Sequence, residues 1–131
     1  MAHSALSTRD PAVAGSFYPD DRSELARSVA EMLGTAASVA PQRPAPKAII
    51  APHAGYIYSG PIAASVYALL APARKTVTRV VLLGPTHRVA VRGLALPGVA
   101  AFAPPLGVVP IDTAAVAALS ALPQVGTSAQ A

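Results

Sequence analysis

The chain has 131 residues, 53% hydrophobic and 12% charged, with ten Lys and Arg against six Asp and Glu for a formal net charge of +4. It contains no cysteine, which excludes disulfides, thiolate catalysis and Cys-based zinc sites from these residues. The basic residues are scattered and only 5% of residues are aromatic, so the clustered stripe of a nucleic-acid reader is missing, and no apolar run reaches the ~18 residues that span a bilayer.

Taken along the chain, residues 1 to 8 read as a flexible start, with no basic segment leading into the apolar core of a secretory signal. The expected location is therefore cytoplasmic, with no nucleic-acid or membrane partner. "YPDDRSELARSVAEMLG", residues 18 to 34, predicts a helix. Asp20 or Asp21 can cap it, and Glu24 adds negative charge in the first turn. Leu25, Val29, Met32 and Leu33 share one apolar face, and Gly34 is the expected stop. "TAASVAPQRPAP", residues 35 to 46, reads as a Pro-rich loop.

"KAIIAP", residues 47 to 52, reads as a buried strand, and "GPIAASVYALLAP", residues 60 to 72, as a helix with Pro61 in its first turn. "TRVVLLGP", residues 78 to 85, reads as a second continuous apolar strand. Neither strand alternates polar with apolar, which suits a parallel sheet covered on both faces. Strand, helix and strand make a βαβ unit, and the expected fold class is α/β, a mostly parallel sheet flanked by helices. "RGLALPG", residues 92 to 98, suggests a further strand. In residues 101 to 112, Pro104, Pro105 and Gly107 precede a short apolar run. "DTAAVAALSALP", residues 112 to 123, is helix-like with Asp112 as cap, and the tail "QVGTSAQA" carries no structural signal.

Two histidines stand at corresponding places. His53 follows the first predicted strand by one residue, and His87 follows the second by a few. Parallel strands of a βαβ unit end on one edge of the sheet, where ligands of open α/β sheets bind. Two imidazoles there could converge on one small species, as metal ligands or acid–base groups. Two histidines with one carboxylate would suit a non-haem Fe(II) centre, but no carboxylate of this chain is identifiable as the third ligand. Tyr56 and Tyr58 could wall a pocket, although packing is the commoner role of such residues. Ser59 and Gly60 fall at the predicted start of the second helix, whose free N–H groups would favour an anion. Thr86 and Arg88, flanking His87, could do the same. A lone loop histidine is more often structural, and Gly55, Gly60 and Gly84 read as turn residues.

Five blocks then carry a resemblance: "PAVAGSFYP" (11 to 19), "PHAGYIYSGPIAA" (52 to 64), "VVLLGPTHR" (80 to 88), "GLALP" (93 to 97) and "PLGVVPID" (105 to 112). In this order and spacing the chain resembles the Memo family, whose bacterial members are called AmmeMemoRadiSam system protein B. The resemblance implies a fold similar to class III extradiol dioxygenases, with residues 9 to 131 as the N-terminal part of a Memo-like α/β domain. It implies that His53 and His87 are metal ligands; beside them, Tyr56, Tyr58 and Ser59 are the expected residues of a substrate pocket. The implied cofactor is a divalent metal, iron in preference to copper, serving a dioxygenase-like or redox role without an established substrate. The implied partners are AMMECR-type and radical-SAM system proteins. The family's next block, rich in His, Ser and Glu, is expected just after this tail, so the chain is expected to be an N-terminal half. The alternatives are a non-catalytic peptide- or partner-binding protein and an inactive truncated remnant.

Overall fold

A computed structural model describes residues 7–128, which form a mixed α/β fold with three α-helices and two small sheets. The chain divides into two units, Ala12–Val81 and Leu82–Ala131 together with Met1–Pro11.

In the first unit, helix α1 runs over Arg22–Val39. Asp21 caps it, its side-chain oxygen accepting a hydrogen bond from the Glu24 N–H at 2.8 Å. The helix does not stop at Gly34 as the sequence suggested. It continues through Thr35–Val39 because Ala36 finds a packing surface there, and it ends at Ala40. The next residue is Pro41, whose ring disfavours helical geometry at the residue before it. Helix α2 spans Tyr56–Tyr67, and a 3-10 segment, Ala68–Ala73, continues it. It starts four residues earlier than expected, so Pro61 lies inside the helix rather than in its first turn. Pro61 has no N–H to offer the Ile57 carbonyl. Ala36 of α1 meets Ala64 and Ala68, with Met32 and Leu33 packed against this alanine seam. At Gly60 a Cβ would lie 2.6 Å from the Met32 Sδ, so glycine lets that side chain rest on the helix backbone.

The second unit holds the strands. Strand β1 (Thr8–Arg9) pairs in parallel with β3 (Ala101–Phe102), which pairs antiparallel with β4 (Val109–Pro110). Strand β2 (Leu94–Leu96) pairs in parallel with β5 (Val125–Thr127), with Leu94 opposite Val125. Helix α3 covers Thr113–Leu119, capped as expected by Asp112, which accepts from the Ala115 N–H at 2.9 Å. Two of the three ladders are parallel. Of the expected flexible start, residues 1–6 lie outside the described residues. The Ser7 carbonyl accepts from the Ala100 N–H, and Thr8 lies in β1.

The two strands expected over 47–52 and 78–85 are not formed. Ile50 is 96% exposed, and Val80, Val81, Leu82 and Leu83 are 75–81% exposed. Among the described residues these segments have no ladder partner. A parallel strand buried on both faces needs a hydrogen-bonded neighbour and a covering layer on each face, and apolar composition supplies neither. The tail gives the opposite correction, because β5 forms where no signal was visible. Gly93, at φ 77°, lets the Gln124 carbonyl come close enough to accept from the Leu94 N–H at 2.9 Å. Among the described residues no helix is long and apolar enough to cross a membrane.

Candidate functional site

The site in the first unit begins with a tight turn. Gly15, at φ 78°, lets its N–H reach the Tyr18 carbonyl at 2.8 Å, and the Phe17 N–H reaches the Val13 carbonyl at 2.9 Å. A side chain would be strained at that φ. The Phe17 carbonyl then accepts from the Tyr56 N–H at 2.7 Å, which ties the turn to the first residue of α2. This brings the Tyr18 and Tyr56 rings to a centroid distance of 5.6 Å with planes tilted by 43°, a favourable offset for aromatic pairs.

His53 lies three residues before α2 in the "PHAG" stretch. The loop is held by Ser59, whose hydroxyl donates to the Ala54 carbonyl at 2.7 Å from a position only 7% exposed. Gly55 caps α2 with no side-chain hydrogen bond. Its carbonyl accepts from the N–H groups of both Tyr58 and Ser59. The anion site expected at Ser59 and Gly60 therefore loses its basis: both residues are buried within the helix, and the Ser59 N–H is already used.

Beside this loop lies a cavity of about 440 Å³. Its aromatic walls are Phe17, Tyr18, Tyr56 and Tyr67; Val29, Met32 and Leu33 of α1 form another side, and His53 and Ser59 contribute polar groups. No Asp, Glu, Lys or Arg lines it. Burial, followed by the neighbouring Tyr18 and Tyr67 hydroxyls, pushes the Tyr56 phenol above its ordinary value. Of the predicted pocket residues, Tyr56 and Ser59 line the cavity, whereas Tyr58 points outward at 81% exposure.

His87 belongs to the second unit and is exposed. It sits in a turn closed from both sides by Thr86. The Val89 N–H donates to the Thr86 carbonyl at 2.9 Å, and the Thr86 hydroxyl donates to the Val89 carbonyl at 2.8 Å. The Arg88 N–H also reaches the Thr86 carbonyl. His87 takes φ 30°, a left-handed value uncommon outside glycine, although His adopts it more readily than most residues. Among the described residues, no group of three or more His, Cys, Asp or Glu side chains could hold a metal ion. The described side chains therefore do not by themselves complete a metal centre.

Phe17, Tyr18 and Tyr67 escaped the sequence reading as pocket residues. Phe17 and Tyr18 sit in the "GSFYP" block, but nothing local in that block shows that its turn folds back onto α2. Met32 and Leu33 were legible as an apolar helix face, though not as a cavity wall.

Comparison with known proteins agrees with the motif pattern. The family model described as Memo-like protein matches residues 9–130. A MEMO1 family protein of Aquifex aeolicus is 41% identical over 107 residues, covering 82% of this chain and 38% of that protein. A MEMO1 family protein of Aeropyrum pernix is 41% identical over 119 residues, covering 84% of this chain and 41% of that protein. The protein memo-1 homolog of Caenorhabditis elegans is 37% identical over 105 residues, covering 80% and 29% respectively. The chain thus matches at most about two fifths of the length of these relatives.

Proposed function

The chain belongs to the Memo-like protein family, and from that premise we propose that His53 and His87 supply two imidazole ligands to a divalent metal, iron in preference to copper. The remaining ligands would come from the part of the relatives' length that this chain does not match. In this reading residues 9–131 are the N-terminal part of a longer Memo-like α/β domain, similar in fold to class III extradiol dioxygenases and working in the cytoplasm. Two neutral imidazoles with a carboxylate and open positions suit Fe(II) and a dioxygenase-like or redox role. AMMECR-type and radical-SAM system proteins are the proposed partners.

One observation carries the reading furthest: His53 lines an aromatic cavity together with Tyr56 and Ser59, and the Ser59–Ala54 hydrogen bond fixes the loop that carries it. A candidate metal ligand beside a cavity of ligand size is the arrangement a substrate-binding metal site needs. The test is metal analysis of the protein purified as its host makes it, in wild type and in His53→Ala and His87→Ala variants. The expected result is bound metal in wild type that falls in both variants. Near-zero metal in all three overturns the reading.

A second reading, a non-catalytic protein that binds a peptide or partner, is supported by Val80–Leu83. These four successive apolar residues are exposed and lie outside any strand. A contiguous run of exposed apolar residues is the kind of surface that a binding partner covers. Metal content separates the two readings.

A further inference from the structure

We propose that the outer face of helix α2 docks a second copy of this chain, so that two chains pair through their α2 helices. None of the residues involved lines the cavity beside His53, so pairing stands apart from the metal reading.

Helix α2 reads YIYSGPIAASVY and carries no charged residue on any side. Between Lys47 and Arg74 the sequence has no Asp, Glu, Lys or Arg at all. A helix that is apolar all round belongs in an interior, yet only one side of α2 is covered. Gly60 and Ala64 meet α1 on that side. At 3.6 residues per turn, Ile57, Tyr58, Pro61, Ile62 and Ser65 fall within one arc on the other side, and all five are exposed.

Area sets what this face can do. Ile57 is 84%, Tyr58 81% and Ile62 62% exposed. With Pro61 they offer roughly 500 Å² of largely apolar surface, a patch of the size that marks interaction sites on soluble proteins. Two such faces together bury about 1,000 Å², the lower bound of a specific interface. Covering the face costs little in lost hydrogen bonds. The Ser65 hydroxyl already donates to the Ile62 carbonyl at 2.7 Å, so no donor is orphaned there. Tyr58 can bury its ring and keep its hydroxyl in water at the rim, the amphipathic use that enriches tyrosine at interfaces.

Charge selects the occupant. The chain carries a formal net charge of +4, but none of it lies on α2. Identical faces therefore meet without the like-charge contacts that suppress wrong pairings. An acidic or basic partner finds no ionic anchor on the same face. A twofold pair uses one patch twice, the commonest arrangement of soluble oligomers.

The test is sedimentation equilibrium of the full 131-residue chain over a wide concentration range, at low and high salt. A monomer–dimer equilibrium is expected, with a Kd on the order of 10–100 µM because the interface sits at the lower size limit. High salt is expected to leave pairing unchanged or to tighten it, since only the residual repulsion of like-charged copies is screened. Tyr58→Glu and Ile62→Glu each set like charges across the interface and are expected to weaken pairing at least about tenfold. Circular dichroism checks that each variant keeps its helices; should either glutamate variant unfold, Ile57→Ser removes apolar contact without charge and is expected to weaken pairing about three- to tenfold. Val39→Glu, at an exposed apolar residue ending α1, and Val81→Glu, in the other exposed apolar run, are the controls and should leave pairing unchanged. A monomer at every concentration, open-ended association without a dimer, or a dimer dissolved by salt overturns the proposal. So does a dimer indifferent to the α2 substitutions, or one lost in Val39→Glu or Val81→Glu.

Discussion

Ser59 offers a clean test of how the histidine loop is held, because helix α2 contains its own control. Ser59 and Ser65 both lie in α2, and both hydroxyls donate to a carbonyl at 2.7 Å. They differ in burial and in what they tie down. Ser59 is buried and its bond reaches out of the helix to Ala54, next to His53. Ser65 is exposed and its bond returns to Ile62 within the same helix. Replacing Ser59 with alanine removes one partner of a part-buried hydrogen bond and leaves the Ala54 carbonyl poorly satisfied, at about 1–3 kcal/mol. Alanine's better helix propensity returns roughly half a kcal/mol. The expected net loss for Ser59→Ala is about 1–2 kcal/mol. At Ser65 water replaces the lost bond, so only the propensity gain remains, and Ser65→Ala is expected to stabilise by up to about half a kcal/mol. The assay is urea denaturation followed by tyrosine fluorescence, with thermal melts alongside. A gap of this size corresponds to a Tm difference on the order of 10 °C for a unit of some 70 residues. Two variants lying within about half a kcal/mol of each other would refute the idea that Ser59 locks the loop.

Two further outcomes are expected. Gly93→Ala forces a side chain onto a φ of 77° and drives its Cβ into the Gln124 carbonyl oxygen, the acceptor of the Leu94 N–H. Left-handed strain and a lost ladder bond together give a loss of about 2–4 kcal/mol, read as faster amide exchange at Leu94 and Ser128. Gly126→Ala, with open space at its Cβ, is the control and should leave that exchange unchanged. For Tyr56 the folded-state value lies above the ordinary phenol value of 10.0, so the folded chain holds this proton more tightly than the unfolded chain. Its contribution to stability is whole below pH 10 and is lost as pH rises through the folded value. Tyr56→Phe is expected to flatten the alkaline decline of stability above about pH 10, and a profile parallel to wild type would contradict the burial of this phenol.

How much was legible in the sequence follows from the range of the interactions involved. The caps Asp21 and Asp112 act within three residues, and both were readable from the local pattern. Strand β5 was not, because its three residues pair with a segment some thirty positions away and carry a glycine in the middle. The apolar runs at 47–52 and 78–85 were read as buried strands from composition, yet burial depends on neighbours that composition cannot supply. The start of α2 was misplaced because Pro61 pointed to a first turn, while the actual first turn is organised by bonds to the Phe17 and Gly55 carbonyls. Within the site, His53, Tyr56 and Ser59 were visible as a cluster in sequence. The turn at 13–18 that completes their cavity is a tertiary contact.

The alanine seam between α1 and α2 has a consequence for how this chain can vary. Ala36, Ala64 and Ala68 each have only one methyl to lose, so trimming them removes little. Adding to them is another matter, since every extra carbon pries two closely set helices apart. Tolerance there is therefore one-sided: a saturation scan of these positions would accept glycine or serine far more readily than valine, leucine or phenylalanine. The seam behaves as a spacer of fixed thickness, and that thickness sets the width of the cavity between the same two helices. Drift in the seam would thus alter which molecules fit before it unfolded the protein.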